Sequence, residues 1–527
     1  MSDQDKSLHP LPFKTESLWR DEMTVPKFDA LKEDLNVDVC IVGGGIVGIT
    51  AAYLLAKEDV SVALIEASRL LGGTTGHTTA KLTTQHGLIY DELIEHIGLT
   101  NTRLYLEANI EAISFIREKI NQYKIDCDLS EEDAYLYSTS DHYAKKLEKE
   151  FKAYQKLDIR SDLLDDIPLG IKVHNALKWP HQYQFHPLRY LKTLLDEFIK
   201  DGGKVFEETT AVDIKEGKTK TEVLTRNGVS IHCQSVLCCS HFPFYEGRGF
   251  YFSRLHADRT YLMAVTTDYH YPGGHYLNVD PPKRTIRSAQ HNGRPILIIG
   301  GESHKTGQGK NTIEHYKAIE AFGKEHFNIK DILFRWSAQD LTSLDKIPYI
   351  GSITKGQRHI LVATGFRKWG MSNGTAAALL LKDLVLKKDN RFKDVFTPSR
   401  FYADPSLKKF LIQNADVAKH LIKGKMGTPS MQLEDLSKDE GGVVTVNGKR
   451  RGAYRDKEGN VYIVDTTCTH MGCECNWNQG DRTWDCPCHG SRYSYKGEVI
   501  EGPAEKPLKQ DEDFTIGDVL TSDDSGY

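Results

Sequence analysis

The segment from Val37 to Ala67 constrains the fold of this chain more than any other stretch. It begins with β-branched residues, passes through glycines in G-x-G-x-x-G spacing, and continues with helical periodicity to a second apolar run that ends at Glu66. Gly43 permits a sharp turn, Gly45 lets the backbone approach a pyrophosphate, and Gly48 allows the helix to pack close to the strand. The helix N-terminus supplies N–H groups for phosphates, and Glu66 is spaced to accept hydrogen bonds from a ribose 2′-hydroxyl. The segment therefore predicts a βαβ unit that binds an unphosphorylated dinucleotide.

The length and charge of the chain limit its class. At 527 residues it is too long for one hydrophobic core, and its formal net charge of -5, with both signs interspersed, gives no indication of a nucleic-acid partner. The first residues lack the apolar core of a signal peptide, and no stretch reaches the length needed to span a bilayer. We therefore expect a multidomain cytoplasmic protein without a transmembrane segment.

Residue patterns predict alternating helices and strands after the βαβ unit. The stretch from Tyr90 to Leu157 is mostly typical of amphipathic helix, and a helix over Pro187–Lys200 precedes a strand around Lys204–Ile214. Strand, glycine loop and helix recur between Arg358 and Val385, and we expect that helix to begin near Ser372–Thr375. No second G-x-G-x-x-G fingerprint occurs, so a separate nicotinamide domain is not expected. One long cofactor reached from both ends of the chain explains the pattern.

A further helix is predicted after Asp404-Pro405. Its apolar face includes Leu407 and Leu411, and we expect it to dock on the main body. Lysines on its polar face leave a membrane-surface role as an alternative. The stretch from Lys423 to Ser430 is predicted to be a linker, because the composition changes after it to short strands, turns and glycines.

Five of the ten cysteines crowd into the segment from Cys468 to Tyr493, which contains the motifs C-x-H and C-x-x-H. In a reducing compartment such crowding favours a metal over a disulfide scaffold. Two thiolates and two imidazoles could hold zinc. Zinc modules usually pair like ligands as C-x-x-C, however, whereas each motif here contributes one Cys and one His. A [2Fe-2S] centre needs that arrangement when one iron takes two thiolates and the other takes two imidazoles.

The sequences CTHMGC and CPCHGS closely resemble the Rieske signature of respiratory-chain and related Rieske proteins, and the resemblance covers about the last ninety residues. It implies two thiolate ligands on one iron, Cys468 and Cys486, and two imidazole ligands on the other, His470 and His489. It also implies a disulfide between the cluster loops, Cys473 with Cys488, and two hydroxyls that hydrogen-bond to cluster sulfur, Ser491 and Tyr493. Such donors stabilise the reduced cluster and raise its potential. The stretch from Gly502 to Ala504 resembles the loop that covers the cluster.

Other candidate metal-binding residues are interpreted as structural. Cys475 has no place in the Rieske signature, and we interpret it as a bystander. A Rieske domain could instead supply a mononuclear-iron oxygenase, for which His270, His275 and the nearby Asp268 would be the candidates. Their spacing does not fit that family, and the dinucleotide fingerprint would be unexplained. We therefore expect these histidines to be loop or sheet residues.

The main body, over about residues 17–390, resembles the D-amino-acid oxidase superfamily of flavoproteins. The resemblance lies in GGGIVGITAAYLLAKEDVSVALIEA, GGTTGHTTAKLTTQHG, DKIPYIG and ATGFRKWGMSNGTAAALL. It implies an α/β FAD-binding Rossmann-like fold with an inserted α+β substrate domain, to which a small all-β Rieske domain is joined. The expected FAD-binding parts are about 37–87, 185–245 and 340–390, and the substrate parts about 88–184 and 246–339. A helical connector and linker over 391–430 and the Rieske domain over 431–520 follow.

The same resemblance implies the residues that surround FAD. The ADP half is expected on the glycine turn and the acid after it, namely Gly43, Gly45, Ile46, Val47, Gly48, Glu66 and Ala67. Val212 is expected to meet the adenine edge through its backbone. The isoalloxazine is expected between a loop and a helix start, formed by Thr74, Thr75, Gly76, His77, Thr79, Ala80, Lys81 and Leu82, and by Gly365, Gly370, Met371, Ser372, Asn373, Gly374 and Thr375. The loop resembles the segment in which dimethylglycine dehydrogenase attaches FAD through histidine. A covalent bond to His77 is therefore an alternative to ordinary packing.

The chemistry of that family is oxidation of a C–N bond, with a hydride passing from the carbon beside the amine to the flavin. Arg287 and Trp336 are the candidate catalytic residues, and Arg287 could clamp a substrate carboxylate bidentately. We expect FAD to oxidise an amine or amino acid and a [2Fe-2S] cluster to carry the electrons to an external acceptor. An oxygen-using oxidase with a structural or sensing cluster, and an electron-transfer adaptor without a small-molecule substrate, are the alternatives. The missing second fingerprint disfavours a nicotinamide-driven reductase.

Overall fold

The computed structural model describes residues 11–12, 14–217, 220–309, 311–401, 403–423 and 431–510, without the side chains of 403–405 and 422–423. The described chain divides into two compact units. The first unit takes in the residues up to His304 together with Glu314–Ile412. The second unit takes in Lys305–Ile313 and the residues from Gln413 onward.

The described part of the chain contains ten α-helices. They are α1 Leu18–Asp21, α2 Ile46–Ala56, α3 Tyr90–Tyr123, α4 Asp141–Lys156, α5 Pro187–Lys200, α6 Tyr251–Arg254, α7 Ile313–Phe327, α8 Gly370–Val385, α9 Lys393–Phe396 and α10 Ala403–Lys423.

The strands of the first unit precede those of the second along the chain. The first unit contains β1 Leu35–Asn36, β2 Val39–Val42, β3 Val62–Ile65, β4 Lys81–Leu82, β5 Ser130–Ser138, β6 Asp162–Leu164, β7 Asn175–Gln184, β8 Lys204–Phe206, β9 Ala211–Glu216, β10 Thr221–Thr225, β11 Ser230–Cys233, β12 Ser235–Cys238, β13 Leu255–Thr267, β14 His275–Asn278, β15 Arg284–His291, β16 Arg294–Lys305, β17 Ile329–Ser343, β18 Tyr349–Ser352 and β19 Ile360–Thr364. The second contains β20 Met431–Gln432, β21 Glu440–Val446, β22 Lys449–Arg455, β23 Val461–Val464, β24 Asn476–Asn478, β25 Thr483–Asp485, β26 Arg492–Ser494 and β27 Val499–Glu501.

A six-stranded sheet in the order β18-β19-β12-β2-β3-β8 forms the centre of the first unit, and only its edge strand β18 is antiparallel to its neighbour. Every residue of β2 and β3 is buried, as expected for parallel strands covered on both faces. A nine-stranded mixed sheet runs β17-β13-β16-β15-β14-β5-β7-β4, with β6 paired to β7, and a third sheet runs β1-β11-β10-β9. The predicted βαβ unit is therefore present, and the same compact unit also contains a large mixed sheet.

Three local predictions need correction. The stretch predicted as mostly helix contains α3 and α4, but Ser130–Ser138 between them is β5. This strand pairs with β7 and β14, and its alternating aromatic residues are buried. The predicted strand over Lys204–Ile214 is two strands in different sheets, β8 and β9. The chain turns between them at Glu208, which has a φ of +49°, and the buried carboxylate of Glu207 accepts the N–H groups of Leu70 at 2.8 Å and Phe28 at 3.0 Å. Helix α8 begins at Gly370, just before the predicted start.

The predicted connector is only partly described. Helix α10 confirms the predicted helix, but Leu407 and Leu411 on its predicted apolar face are exposed. Residues 424–430, which hold nearly all of the predicted linker, lie outside the described residues, as does the end of the predicted last domain beyond residue 510. The second unit is built from two four-stranded antiparallel sheets, β20-β21-β22-β23 and β24-β25-β26-β27, in which only the pair β20 and β21 is parallel. Over residues 431–510 its regular structure is β apart from a short 3-10 helix at Leu433–Asp435, and the end of α10 precedes it.

Candidate functional site

The glycines of the turn between β2 and α2 serve two different purposes, backbone packing and space for a ligand. Gly43 has a φ of +116°, and a Cβ there would lie 2.5 Å from the carbonyl oxygen of Cys239. A Cβ on Gly48 would lie 2.0 Å from the carbonyl oxygen of Gly43, so both glycines are required by backbone packing alone. A Cβ on Gly45 would meet only the side chain of Thr75, at 3.0 Å. Gly45 therefore leaves an open cradle at the start of α2, where a pyrophosphate would fit.

Glu66 lies beside that cradle. One of its carboxylate oxygens accepts the N–H of Gly44 at 2.8 Å and the other accepts the N–H of Ser68 at 3.0 Å. Each oxygen keeps a lone pair for a ribose hydroxyl. Burial raises the pKa of Glu66, and the backbone N–H groups oppose that rise. The predicted contact of Glu66 with ribose is compatible with this position, and Ala67 follows it directly.

Val212, predicted to meet the adenine edge, is the extra residue of a β-bulge. In the register of β9 and β10, Leu224 pairs with Asp213 and Thr225 pairs with Ala211, so the register skips Val212. A bulged residue is left out of the ladder. The bulge is compatible with a backbone contact to a ligand, and the contact of Val212 with adenine stays a prediction.

The loop from Thr74 to Leu82 is held by hydrogen bonds on both sides. The Thr75 hydroxyl accepts the N–H of Ile46 at 3.1 Å, which ties the loop to the first residue of α2. Nδ1 of His77 lies 2.9 Å from the carbonyl oxygen of Gly73, and its Nε2 lies 3.5 Å from a carboxylate oxygen of Glu16. Both ring nitrogens thus have protein neighbours, and the packing of His77 against FAD, with a covalent bond as its alternative, stays a prediction.

The two candidate catalytic residues support this loop. The buried Arg287 donates through Nη1 to the carbonyl oxygens of Thr79 at 2.8 Å and Ala80 at 2.9 Å. The buried indole of Trp336 donates to the carbonyl oxygen of His77 at 2.9 Å. Both side chains therefore position the loop on which the isoalloxazine is expected. Their contact with substrate stays a prediction.

Lys81 is buried in the same loop, next to Arg287. Its ammonium group donates to the carbonyl oxygen of Tyr276 at 3.2 Å and to the hydroxyl of Thr285. Burial, together with the charge of Arg287, lowers the pKa of Lys81 to about 7. The loop thus contains an amine that can gain or lose a proton near neutral pH.

The start of α8 closes the other side of this region. A Cβ on Gly374 would lie 3.0 Å from Cγ2 of Ile46 and 3.3 Å from Cγ2 of Val47, so α8 approaches α2 closely at this glycine. The Oδ1 atom of the buried Asn373 has no hydrogen-bond partner within the described part of the chain. An unpaired buried acceptor is costly, and a donor on a bound cofactor would satisfy it. Together with the open cradle at Gly45, it makes the region fit a long cofactor.

A buried histidine that the sequence did not predict, His86, lies at this position. Nε2 of His86 lies 2.9 Å from the Ser372 hydroxyl, and its Nδ1 lies 2.6 Å from the Tyr105 hydroxyl. The ring stacks on Trp369 with 5.0 Å between centroids. Burial lowers the pKa of His86 to about 3, so the ring is neutral and links the loop to α8. Its place directly after the glycine- and threonine-rich loop was the only signal in the sequence.

The predicted metal-binding residues of the second unit form two pairs. The Sγ atoms of Cys468 and Cys486 lie within 4.8 Å of each other, and the rings of His470 and His489 lie 5.0 Å apart between centroids. Within residues 431–510, each group of three or more possible ligand atoms that lie within 4.8 Å of one another consists of cysteines alone. The four ligand atoms of one tetrahedral zinc would all lie within 4.8 Å of one another, because Zn–S and Zn–N bonds are about 2.0–2.3 Å. A zinc site would therefore appear as a mixed group of thiols and imidazoles. The separate pairs fit a two-iron centre with thiolates on one iron and imidazoles on the other.

Electrostatics and neighbouring groups agree with this assignment. Burial lowers the pKa of His489 to about 4 and also lowers the pKa of His470, so both rings are in the neutral form that binds a metal. The hydroxyl of Tyr493 lies 3.2 Å from Sγ of Cys468. The Ser491 hydroxyl accepts the N–H of Ala504 at 3.0 Å, which ties it to the predicted covering loop.

The two ligand loops are joined as predicted. Cys473 and Cys488 form a disulfide with 6.5 Å between their Cα atoms. Cys475, which the sequence suggested to be a bystander, is instead close to the ligands: its Sγ lies within 4.8 Å of those of Cys468 and Cys486.

The second unit also contains a segment that sequence analysis assigned to the substrate domain, Lys305–Ile313. The amide of Gln308 donates to the carbonyl oxygen of Pro487 at 3.2 Å, and the amide of Asn476 donates to the carbonyl oxygen of Gly307 at 2.7 Å. The Thr312 hydroxyl donates to Oδ1 of Asn478 at 2.6 Å. The segment thus packs beside the second ligand loop, which no local pattern in the sequence indicates.

Comparison with known proteins now defines the family. The family model for FAD-dependent oxidoreductases matches residues 38–384, and the model for the Rieske [2Fe-2S] domain matches residues 428–512. The chain belongs to the FAD-dependent oxidoreductase family. Its C-terminal part is a Rieske [2Fe-2S] domain, so its cofactors are FAD and a [2Fe-2S] cluster, as predicted.

Relatives of this FAD-dependent oxidoreductase share one or both parts. A Bacillus subtilis (strain 168) protein named as a Rieske 2Fe-2S iron-sulfur protein, YhfW, is 50% identical over 495 residues, which are 94% of this chain and 97% of that protein. Gamma-glutamylputrescine oxidoreductase of Escherichia coli (strain K12) is 28% identical over 194 residues, 36% of this chain and 45% of that protein. The structure of glycine oxidase from Geobacillus kaustophilus shares the fold with a TM-score of 0.59 and 18% identity, covering 70% of this chain and 99% of that one. The predicted fold class is confirmed.

The helices of the chain differ in length and apolar character. None of those in the described ranges combines the length and the apolar character that crossing a bilayer requires.

Proposed function

We propose that this chain is an FAD-dependent dehydrogenase that oxidises a C–N bond of an amine or amino acid and passes the electrons through its Rieske cluster to an external acceptor. The observation that carries this proposal is the pairing of ligands in the second unit, thiols with thiols and imidazoles with imidazoles. That arrangement suits a one-electron carrier, and joining it to a flavoprotein in one chain keeps the carrier at a high effective concentration. A flavin that used oxygen directly would need no such carrier.

When bound, FAD supplies a two-electron acceptor for a hydride from the carbon beside the amine. The chain's own residues supply orientation. Arg287 and Trp336 fix the carbonyl groups of the loop from His77 to Ala80, and His86 fixes the same region to α8. Such positioning contributes to rate by holding the reacting atoms in line.

One nitrogen of the Arg287 guanidinium, Nη2, is left to bind substrate. Its Nε donates to the carbonyl oxygen of Ser288 at 2.8 Å, and its Nη1 serves Thr79 and Ala80. Within the part of the chain that the structure describes, Nη2 has no hydrogen-bond partner. We therefore assign Nη2 to a carboxylate of the substrate, and Lys81 to proton exchange with the amine, because its pKa of about 7 lets it act near neutral pH.

The test is anaerobic reduction of the full-length protein. Glycine derivatives, D- and L-amino acids and glutamylated polyamines are added in turn, flavin bleaching is followed, and the samples are frozen for electron paramagnetic resonance. We expect one substrate class to bleach the flavin and then to produce the signal of a reduced Rieske cluster. The matched control is Cys486→Ser, which removes a cluster ligand and is expected to keep the bleaching and lose the signal.

Three results would overturn the proposal. Bleaching with a cluster that stays oxidised, although dithionite reduces it, would identify an oxidase whose cluster lies outside the turnover. Absence of bleaching with every amine would identify an electron-transfer adaptor. Rapid bleaching by NADH would identify a nicotinamide-driven reductase instead.

A further inference from the structure

A third thiol lies beside the two thiolate ligands of the Rieske domain. The Sγ atoms of Cys468, Cys475 and Cys486 all lie within 4.8 Å of one another, and Cys475 is fully buried, with 0% of its surface exposed. Cys475 is a free cysteine, because the disulfide joins Cys473 to Cys488. The Rieske signature assigns no role to this residue.

The strand register places Cys475 there. In the antiparallel pair of β24 and β25, Asn476 lies opposite Asp485, so the preceding residue, Cys475, lies opposite Cys486. The N–H of Cys475 donates to the carbonyl oxygen of Thr466 at 2.8 Å, which ties it to the strand that leads to Cys468. Cys475 is therefore held from both sides, between the two ligand loops.

The neighbouring residue strengthens this hold. The carboxylate of Glu474 accepts two hydrogen bonds from the guanidinium of Arg450, both at 2.9 Å, and Glu474 forms an isolated bridge with Thr467. A bidentate ion pair fixes orientation as well as distance. The backbone that carries Cys475 is thus held in place by contacts of the chain itself.

A thiol in this position has one remaining chemical role. In a Rieske centre one iron takes two thiolates, here Cys468 and Cys486, and the other takes two imidazoles, so no ligand position is left for a third cysteine. A thiol is a weak hydrogen-bond donor, and the two ligand sulfurs, which can accept, lie within 4.8 Å of it. Donors to cluster sulfur stabilise the reduced and more negative state.

We propose that the thiol of Cys475 donates a hydrogen bond to the ligand sulfurs of Cys468 and Cys486 and thereby raises the reduction potential of the cluster. Tyr493, whose hydroxyl lies 3.2 Å from the Cys468 sulfur, is a separate donor candidate for the same sulfur. This role concerns the cluster alone and does not depend on which substrate reduces the flavin.

The test is a redox titration of the cluster-loaded, full-length protein, followed by electron paramagnetic resonance. The loss of one hydrogen bond is expected to shift the ratio of reduced to oxidised cluster about twofold to tenfold toward the oxidised form. For one electron, a tenfold shift is 59 mV. We expect this lowering in Cys475→Ala and Cys475→Val, and we expect Cys475→Ser, which keeps a donor, to recover most of it.

Two further measurements distinguish this role from packing. The control Cys127→Ala removes a buried thiol from the other unit and is expected to leave the potential unchanged. In D₂O, pulsed resonance of the reduced cluster is expected to show an exchangeable deuteron that is present in wild type and in Cys475→Ser and is missing in Cys475→Val.

An unchanged potential in a cluster-loaded Cys475→Val variant would overturn the proposal. An exchangeable signal in that variant equal to the signal of wild type would do so as well. If Cys475→Ala loses its cluster through the cavity it creates, the volume-conserving variants decide the question. A Cys475→Ser potential as low as that of Cys475→Val would show that the effect is packing and not donation.

Discussion

Replacing Gly307 with alanine tests whether the segment Lys305–Ile313 supports the second ligand loop. Gly307 has a φ of +69°, and a Cβ there would lie 2.6 Å from the nitrogen of Pro487 and 2.7 Å from the carbonyl oxygen of Asp485. These are backbone atoms on either side of the ligand Cys486, so no side chain can move aside. Restoring ordinary contact requires the two backbones to separate by about 0.8 Å.

Gly448 provides a matched control in the same unit. It has a φ of +72° in the turn between β21 and β22, and a Cβ there would meet nothing within 4 Å. Both substitutions incur the cost of a left-handed conformation, about 1–2 kcal/mol, partly offset by the lower entropy of the unfolded chain. Only Gly307→Ala adds the cost of overpacking, about 1–3 kcal/mol. We expect the free energy of unfolding to fall by about 1 kcal/mol in Gly448→Ala and by about 2–4 kcal/mol in Gly307→Ala.

The assay is thermal unfolding of the loaded full-length protein, followed by visible circular dichroism of the cluster. Each kcal/mol is expected to lower the midpoint by about 2–8 °C, and the resonance spectrum of the cluster is expected to change in Gly307→Ala alone. Equal midpoints and identical spectra in the two variants would refute the reasoning, since they would show that Gly307 does not bear on the ligand loop.

Three further predictions concern single side chains. Gly45→Ala is expected to leave the fold intact and to weaken FAD binding at least tenfold, because the new Cβ meets only Thr75 and otherwise occupies the cradle. Flavin fluorescence measures the affinity, and an unchanged affinity would place the pyrophosphate elsewhere. Tyr493→Phe removes the hydroxyl 3.2 Å from Sγ of Cys468 and is expected to lower the potential by about 59 mV or less, measured by redox titration, while an unchanged potential would contradict that role. Lys81 has a pKa of about 7 in the folded protein, below its ordinary value near 10.5, so the unfolded chain binds more protons between these two pH values. The free energy of unfolding is therefore expected to rise with pH in this range, by up to about 1.4 kcal/mol per pH unit. Lys81→Met should flatten that slope in denaturant titrations at several pH values, and an unaltered slope would show that Lys81 does not cause it.

The tertiary structure decided the features that depend on distant contacts. Cys475 looked unimportant because the Rieske signature counts positions along the chain, whereas the register of β24 and β25 sets it opposite Cys486. His86 reaches Ser372 across nearly three hundred residues, and its ring gave no local signal. The strand β5 was not predicted because the residues on either side of it follow a helical pattern. Pairing with β7 and β14 and burial of its side chains outweigh that pattern in the folded chain.

The sequence by itself determined the two cofactors and the elements that hold them. Glycine spacing, strand composition and the acid at Glu66 depend on local backbone geometry, and the Cys and His pairs of the cluster loops are each separated by only a few residues. Such short-range requirements are written directly in the order of residues. The positions of Lys305–Ile313 beside Pro487 and of Arg287 beneath the loop at Ala80 depend on sheet pairing over long separations. Only the folded chain, which brings these segments into contact, could show them.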